Sequence, residues 1–216
     1  MSSVFIYVVD RDFGFAPNPF HGSCTLATCK PRIRKRAAPG DWVIGVGGSR
    51  LKATGRCIFA MRVSRKLSFD DYWSALEFTD KKPVRNGSMT MLVGDNIYRH
   101  DPASGRWQQA DSHHSNADGS VNRHNLENDT EVDAVLLSDH FYYFGKSARP
   151  VPDRLLQELG YQNRRGHRRF DLAAASKLVG WIESSFAPVL NRVSADPFDF
   201  DQSAARYSGK TNRLIV

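Results

Sequence analysis

VFIYVVDRDFGFAPNPFHGSCTLATCKPRIRKR, residues 4–36, is the stretch from which the rest of the chain is read. Val4, Phe5, Ile6, Tyr7, Val8 and Val9 are β-branched or aromatic without interruption, which reads as a strand. The strand carries Asp10 and Asp12 to its end, where Gly14, Pro17, Asn18 and Pro19 break the ladder. Carboxylates, an amide and the ring of Phe15 are thereby held in a loop on a rigid edge, where binding and chemistry usually sit.

A chain of 216 residues, 41% of them hydrophobic, can bury one good core. It has no run of about eighteen apolar residues, and Met1 to Val9 lacks a basic start and a cleavage site. A cytoplasmic location with no membrane contact is therefore expected. Cys24, Cys29 and Cys57 are an odd number without a disulfide framework, in keeping with a reducing compartment. The net charge of +7 and an isoelectric point near 9.5 favour a polyanionic partner, provided the charge clusters beside a pocket.

Working outward, Lys30, Arg32, Arg34, Lys35 and Arg36 form a dense basic run that reads either as a phosphate-contacting edge or as a solvated face. Pro39, Gly40 and Asp41 turn the chain into a strand from Trp42 to Val46. Gly45, Gly47 and Gly48 then read as a hairpin turn, because neither the Lys-Ser/Thr pair nor the helix of a phosphate loop follows them. In GRCIFAMRV, Cys57, Phe59, Met61 and Val63 alternate with Arg56, Ile58, Ala60 and Arg62, the pattern of a half-buried strand.

This order of elements resembles the PUA-like folds, the EVE and ASCH domains among them, through GDWVIG and GRCIFAMRV. The resemblance implies an α+β fold: a PUA-like curved β-barrel with packed helices and a helical C-terminal appendage, in several members with a pocket for an extruded base. Longer words carry a second resemblance. GFAPNPFHGSCTLATCKPRIR, GDWVIG, GDNIY and SDHFYYFG are similar to the signature of the second type of nucleotide-modification-associated domain, from about Val4 to Ala148. That bacterial and phage family is linked to hypermodified DNA bases, so the resemblance implies DNA carrying modified bases as partner without naming a reaction.

The segment LSFDDYWSALEF suits a short helix that packs its rings on the core. Asp95 and Asn96 precede Tyr98, which places a carboxylate and an amide beside a ring able to grip an extruded base; a plain turn with a buried tyrosine is the alternative. Ala110 to Thr130 is polar and reads as a mobile surface loop. His113, His114 and His124 have no zinc spacing with His21, Cys24 and Cys29, so no metal is expected and the cysteines read as small buried groups.

A strand through Val135, Leu136 and Leu137 runs into Asp139 and the ring cluster His140 to Phe144. Alternation sends Phe141 and Tyr143 to one face and Tyr142 and Phe144 to the other, one pair for the core and one for a base. Past Pro150, a helix runs from Asp153 to Gly160. Arg164, Arg165, Arg168 and Arg169, placed between that helix and one capped by Asp171, form the stronger phosphate-binding run. Residues from Ala187 read as a wrap or tail.

No nucleophile elbow, Walker loop, dinucleotide fingerprint or zinc-deaminase signature is present. Carboxylates, amides, rings and arginines remain, which is the equipment for excising a flipped base. The expected activity is a DNA glycosylase, free of metal and cofactor, that removes a hypermodified base such as glucosylated hydroxymethylcytosine from phage DNA in antiphage defence. Asp12 and Asp10 are the first carboxylates, with Asp95 and Asp139 in reserve; Asn18 resembles the water-positioning amide of the uracil-glycosylase superfamily. Phe15, Asn96, Tyr98, Tyr142 and Tyr143 would contact the base, and the lysines and arginines of both basic runs the backbone. Residues 1–149 would form the base-binding and catalytic domain and 150–216 a helical extension packed on it. A non-catalytic reader of modified bases and an enzyme that installs a modification are the alternatives. The glycosylase reading requires the early acids and late tyrosines to share one base-sized hollow ringed by guanidinium groups.

Overall fold

The computed structural model describes residues 2–215. Its strands are β1 (Ser3–Val9), β2 (Cys24–Leu26), β3 (Trp42–Gly47), β4 (Arg56–Arg62), β5 (Arg65–Leu67), β6 (Tyr98–His100), β7 (Trp107–Gln109), β8 (Val135–Ser138), β9 (His140–Tyr143), β10 (Arg149–Pro150), β11 (His167–Asp171), β12 (Arg192–Val193), β13 (Arg206–Ser208) and β14 (Arg213–Ile215). Its α-helices are α1 (Pro31–Arg36), α2 (Phe69–Ser74), α3 (Met89–Leu92), α4 (Arg123–Thr130), α5 (Asp153–Glu158) and α6 (Ser176–Phe186).

Period-two alternation sets the layers. β1 turns Phe5, Tyr7 and Val9 into one core and Val4 and Ile6 into another. It lies inside a mixed seven-stranded sheet in the order β11-β1-β3-β4-β9-β12, with β10 paired to β4. On one face this sheet meets Leu26, Ile33 and Leu136, which come from α1 and the small sheet β2-β8-β5. On the other it packs against Leu178, Val179 and Ile182 of α6 and Leu155 and Leu156 of α5. A third core joins Phe69 and Tyr72 of α2 to Val135 and Leu137 of the small sheet.

Two expectations change for this reason. Cys57 to Met61 of β4 are all buried, because both faces of the central sheet are covered. The α+β class holds, but no closed barrel forms among the described residues. β11 and β12 remain the edges of the central sheet, and β2-β8-β5 stays a separate sheet, so the strands never meet around a ring.

Gly45 lies opposite Phe59 where a Cβ would come within 2.2 Å of the ring, so the glycine makes room for that side chain in the β3–β4 pair. The expected β3–β4 hairpin is present, but Gly45 and Gly47 lie within β3, and the turn runs over residues 48–55 instead of these glycines. Phe141 and Tyr143 separate from Tyr142 and Phe144 as alternation requires, yet both pairs are buried in cores. The chain after Pro150 supplies both edges of the central sheet: β11 runs antiparallel to β1 and β12 parallel to β9. The four arginines thus straddle the start of a strand rather than a link between helices, and Asp171 ends that strand.

Candidate functional site

The loop between β2 and α1 holds two successive residues in the left-handed region, Cys29 at φ 55° and Lys30 at φ 44°. A side chain other than glycine is held there only by its surroundings, at a cost of about 1–3 kcal/mol. Two buried groups provide the hold. Asp129 Oδ1 accepts the Cys29 backbone N–H at 2.7 Å, and Arg34 Nε donates to the Cys29 carbonyl at 2.8 Å. Cys29 is the half-buried member of the three free cysteines, while Cys24 and Cys57 are buried outright.

The sulfur of Cys29 stands 3.8 Å from His114 Nε2, and His114 Nδ1 is 2.7 Å from Asp129 Oδ2. Thiol, imidazole and carboxylate are therefore wired in series, with Tyr98 donating its hydroxyl to the same Asp129 oxygen at 2.9 Å. Gln109 and Asn125 both donate to the His114 carbonyl and hold its backbone, while the Phe15 ring packs 4.7 Å from the imidazole. Burial opposes a charge on His114, but the Asp129 carboxylate and the Cys29 sulfur overcome it and push the imidazole up to about 10. Burial likewise opposes ionisation of Asp129, yet His114, Arg34 and the Cys29 N–H hold it below the usual carboxylate value. His113, next in sequence, behaves in the opposite way. Burial and the neighbouring His114 push it down to about 3, and its Nδ1–H donates to Ala205 O at 2.7 Å between Phe13 and Tyr207.

The same three groups are the one set among the described residues whose ligand atoms approach as a metal site would require. Asp129, however, already uses Oδ1 on the Cys29 N–H and Oδ2 on His114 and Tyr98, which leaves only sulfur and Nε2 to converge on an ion. Two ligands are short of the four that a structural zinc takes.

The relay opens on a cleft of about 450 Å³ between α1, α4, the turn before β11 and the β13–β14 hairpin. The hairpin seats itself through Tyr207 N–H, which donates to His113 O at 2.7 Å. The C-terminal wrap is thus a wall of the site. Ala110 to Thr130 is not a free loop either: Ser112 to Ser115 are buried, and α4 carries Asp129.

The expected base-excising residues lie elsewhere. Asp12 is buried, with Oδ1 accepting the Tyr143 hydroxyl and Oδ2 the Phe198 N–H at 3.1 Å. An early acid and a late tyrosine do meet, but in a sealed contact. Burial, partly countered by the Tyr143 hydrogen bond, raises Asp12 to about 6. Asp95 is buried between Tyr72 and Thr25, each donating at 2.7 Å. Asn18 is also buried: its amide donates to Val93 O at 2.8 Å, and its carbonyl accepts from Lys81 at 3.0 Å. Asn96 donates to Tyr72 O at 2.8 Å inside the same region. Asp10 and Asp139 are exposed, and Tyr142 packs in the core beneath α6. Asp12→Asn is accordingly expected to leave iodoacetamide labelling of Cys29 within about twofold of wild type, because its contacts do not reach the relay.

Of the first basic run, Arg34 is a structural residue. It is fully buried and donates to the carbonyls of Cys29, Val132, Ala134 and Asp129, so it is unable to contact phosphate. Lys30, Arg32, Lys35 and Arg36 are exposed, as are Arg164, Arg165 and Arg169 of the second run, while Arg168 is half-buried. The pairing of β11 with β1 brings the two runs together: Lys30, Arg32, Arg165 and His167 all line the cleft.

Sequence reasoning missed the relay because Cys29, His114 and Asp129 are 85 and 15 positions apart and fit no contiguous motif. The available signal was a cysteine that is not needed for a disulfide in a chain with histidines and acids elsewhere.

Fold and site together define an α+β protein with a thiol–imidazole–carboxylate relay at the mouth of a cationic cleft. The chain belongs to the nucleotide modification associated domain 2 family, whose model matches residues 1–204. No curated protein and no solved structure matches it. Membership ties the chain to nucleotide modification and reaches past the motifs that carried the resemblance, across both edge strands of the central sheet. Among the described residues no helix is long and apolar enough to cross a membrane.

Proposed function

We propose that this protein is an enzyme of nucleotide modification that works through a covalent intermediate on Cys29. The observation that carries the reading is the serial contact of Cys29 Sγ, His114 Nε2 and Asp129 Oδ2. In such an arrangement the imidazole, held protonated at neutral pH, stabilises the thiolate, and the carboxylate accepts from its other nitrogen and stabilises the imidazolium.

The chemistry that suits the relay is acyl transfer or hydrolysis. Sulfur attacks a carbonyl carbon and the S–C bond forms; the bond from that carbon to the leaving group breaks, and the leaving group departs with the proton from His114. An amine, hydroxyl or water then gives its proton to His114 and attacks the thioester, and the sulfur is released. Acylating or deacylating a nucleotide is a modification of the kind the family name describes.

Base excision by a carboxylate receives less support. Asp12 and Asp95 have both oxygens committed to interior donors, so neither faces a space that a sugar carbon enters. Defence against phage and a particular modified base have no residue in the site that argues for them.

Labelling with iodoacetamide at neutral pH, read by peptide mass spectrometry, tests the relay without knowledge of the substrate. Cys29 is expected to label ahead of Cys24 and Cys57, which are buried and whose thiols burial pushes up to about 12. His114→Gln should slow Cys29 labelling by about tenfold or more, because a thiolate reacts and a thiol does not. Equal rates in the variant and wild type would remove His114 from the reaction.

A further inference from the structure

The two walls of the cleft differ in chemistry. One presents Lys30 and Arg32 of the α1 segment with Arg165 and His167 of the turn into β11; the other presents His124 and Asn128, one helical turn apart on α4, and the acid Glu131 beyond the helix end. The cations converge: burial together with the charges of Arg36, Arg32, Arg168 and Lys30 holds His167 below its ordinary value. Like charges gathered at one mouth repel each other unless an anion joins them, and arginine forks match phosphate oxygens. On the facing wall, an amide and an imidazole side chain, both exposed, offer the donors and acceptors that read a base edge.

We propose that this cleft seats a single nucleotide, its 5′-phosphate against Lys30, Arg32, Arg165 and His167 and its base against His124 and Asn128, with the reacting group beside Cys29. The substrate is thus a mononucleotide, modified before it enters a polymer or after release from one. This rests on the reading of Cys29 as the reacting group only for where the substrate reacts; the seat stands on its own lining. Size favours one unit, because a cleft of about 450 Å³ is in the range of small-molecule pockets and α4 and the β13–β14 hairpin wall it in. A strand of nucleic acid needs a groove that tracks successive phosphates.

Calorimetric titration of the full chain with each of the four deoxynucleoside 5′-monophosphates, the matching nucleosides, inorganic phosphate and a short single-stranded oligonucleotide tests this. At least one monophosphate is expected to bind about tenfold or more tightly than its nucleoside and than inorganic phosphate, and to protect Cys29 from iodoacetamide. Arg32→Ala with Arg165→Ala, both at exposed positions, should weaken that monophosphate by about tenfold or more while leaving the thermal midpoint unchanged. Equal binding of nucleoside and nucleotide, equal binding of phosphate alone, binding of the oligonucleotide without any monophosphate, or no binding at all would each overturn the proposal. The two readings fail separately. Nucleotide binding with His114-independent labelling sinks the relay and keeps the seat, whereas His114-dependent labelling without nucleotide binding does the reverse.

Discussion

Arg34→Ala is expected to lose about 4 kcal/mol or more of unfolding free energy, read from the urea midpoint at constant slope. Arg34 donates to four carbonyls from three segments: Cys29 in the β2–α1 loop, Asp129 at the end of α4, and Val132 and Ala134 ahead of β8. Each buried carbonyl left without a donor costs about 1–3 kcal/mol, and their sum is comparable to the whole stability of a domain, about 5–15 kcal/mol. Arg34→Lys is expected to recover little, because one compact ammonium does not reach four acceptors spread around a planar fork. Lys35→Ala and Arg36→Ala, exposed on the same helix, should stay within about 0.5 kcal/mol of wild type. A loss under about 1 kcal/mol for Arg34→Ala would mean that these carbonyls find other partners and that Arg34 does not hold Cys29 in place.

Asp129→Asn should cost about 3–5 kcal/mol and bring Cys29 labelling down with it, since it leaves the His114 imidazolium and the buried Arg34 without their carboxylate. Its pH dependence distinguishes loss of the charge from loss of shape. His114 is raised in the folded state from 6.5 to about 10, so its pairing stabilises fully below the unfolded value and is lost as pH rises through the folded one. Asp129 is depressed below 3.8, so its contribution is present above that value and is lost as pH falls through the folded one. His113, depressed from 6.5 to about 3, adds to the acid limb: as pH falls below 6.5 the unfolded chain gains a proton that the folded chain refuses. Urea midpoints from about pH 5 to 11 should therefore fall on the alkaline side in wild type, and fall less in Asp129→Asn. Parallel alkaline limbs in the two proteins would show that Asp129 carries no charge coupling to His114.

Much of the scaffold was legible because it depends on local pattern. The apolar run Val4 to Val9, the Gly40-Asp41 turn, the alternation of Phe141 to Phe144 and the stop of α5 just ahead of Gly160 each follow from steric rules acting over a few residues. The ring cluster shows where such rules stop. Alternation separates Tyr142 from Tyr143 correctly, but it does not say that α6 covers the first and that Asp12 meets the second. Arg34 shows the same limit. In sequence it is one cation among five, and only the meeting of three segments around it makes it the buried one.

By itself, the sequence determined the α+β class, the positions of the principal strands, the two basic runs and the kinship with nucleotide modification, because propensity, periodicity and motif words are properties of contiguous residues. Tertiary structure alone decided that the barrel stays open, that the acids of the first loop turn inward, and that Cys29 meets His114 and Asp129. Those outcomes depend on which distant segments exclude water from one another, and burial converts a carboxylate, a thiol or a guanidinium from a surface group into a fixed partner.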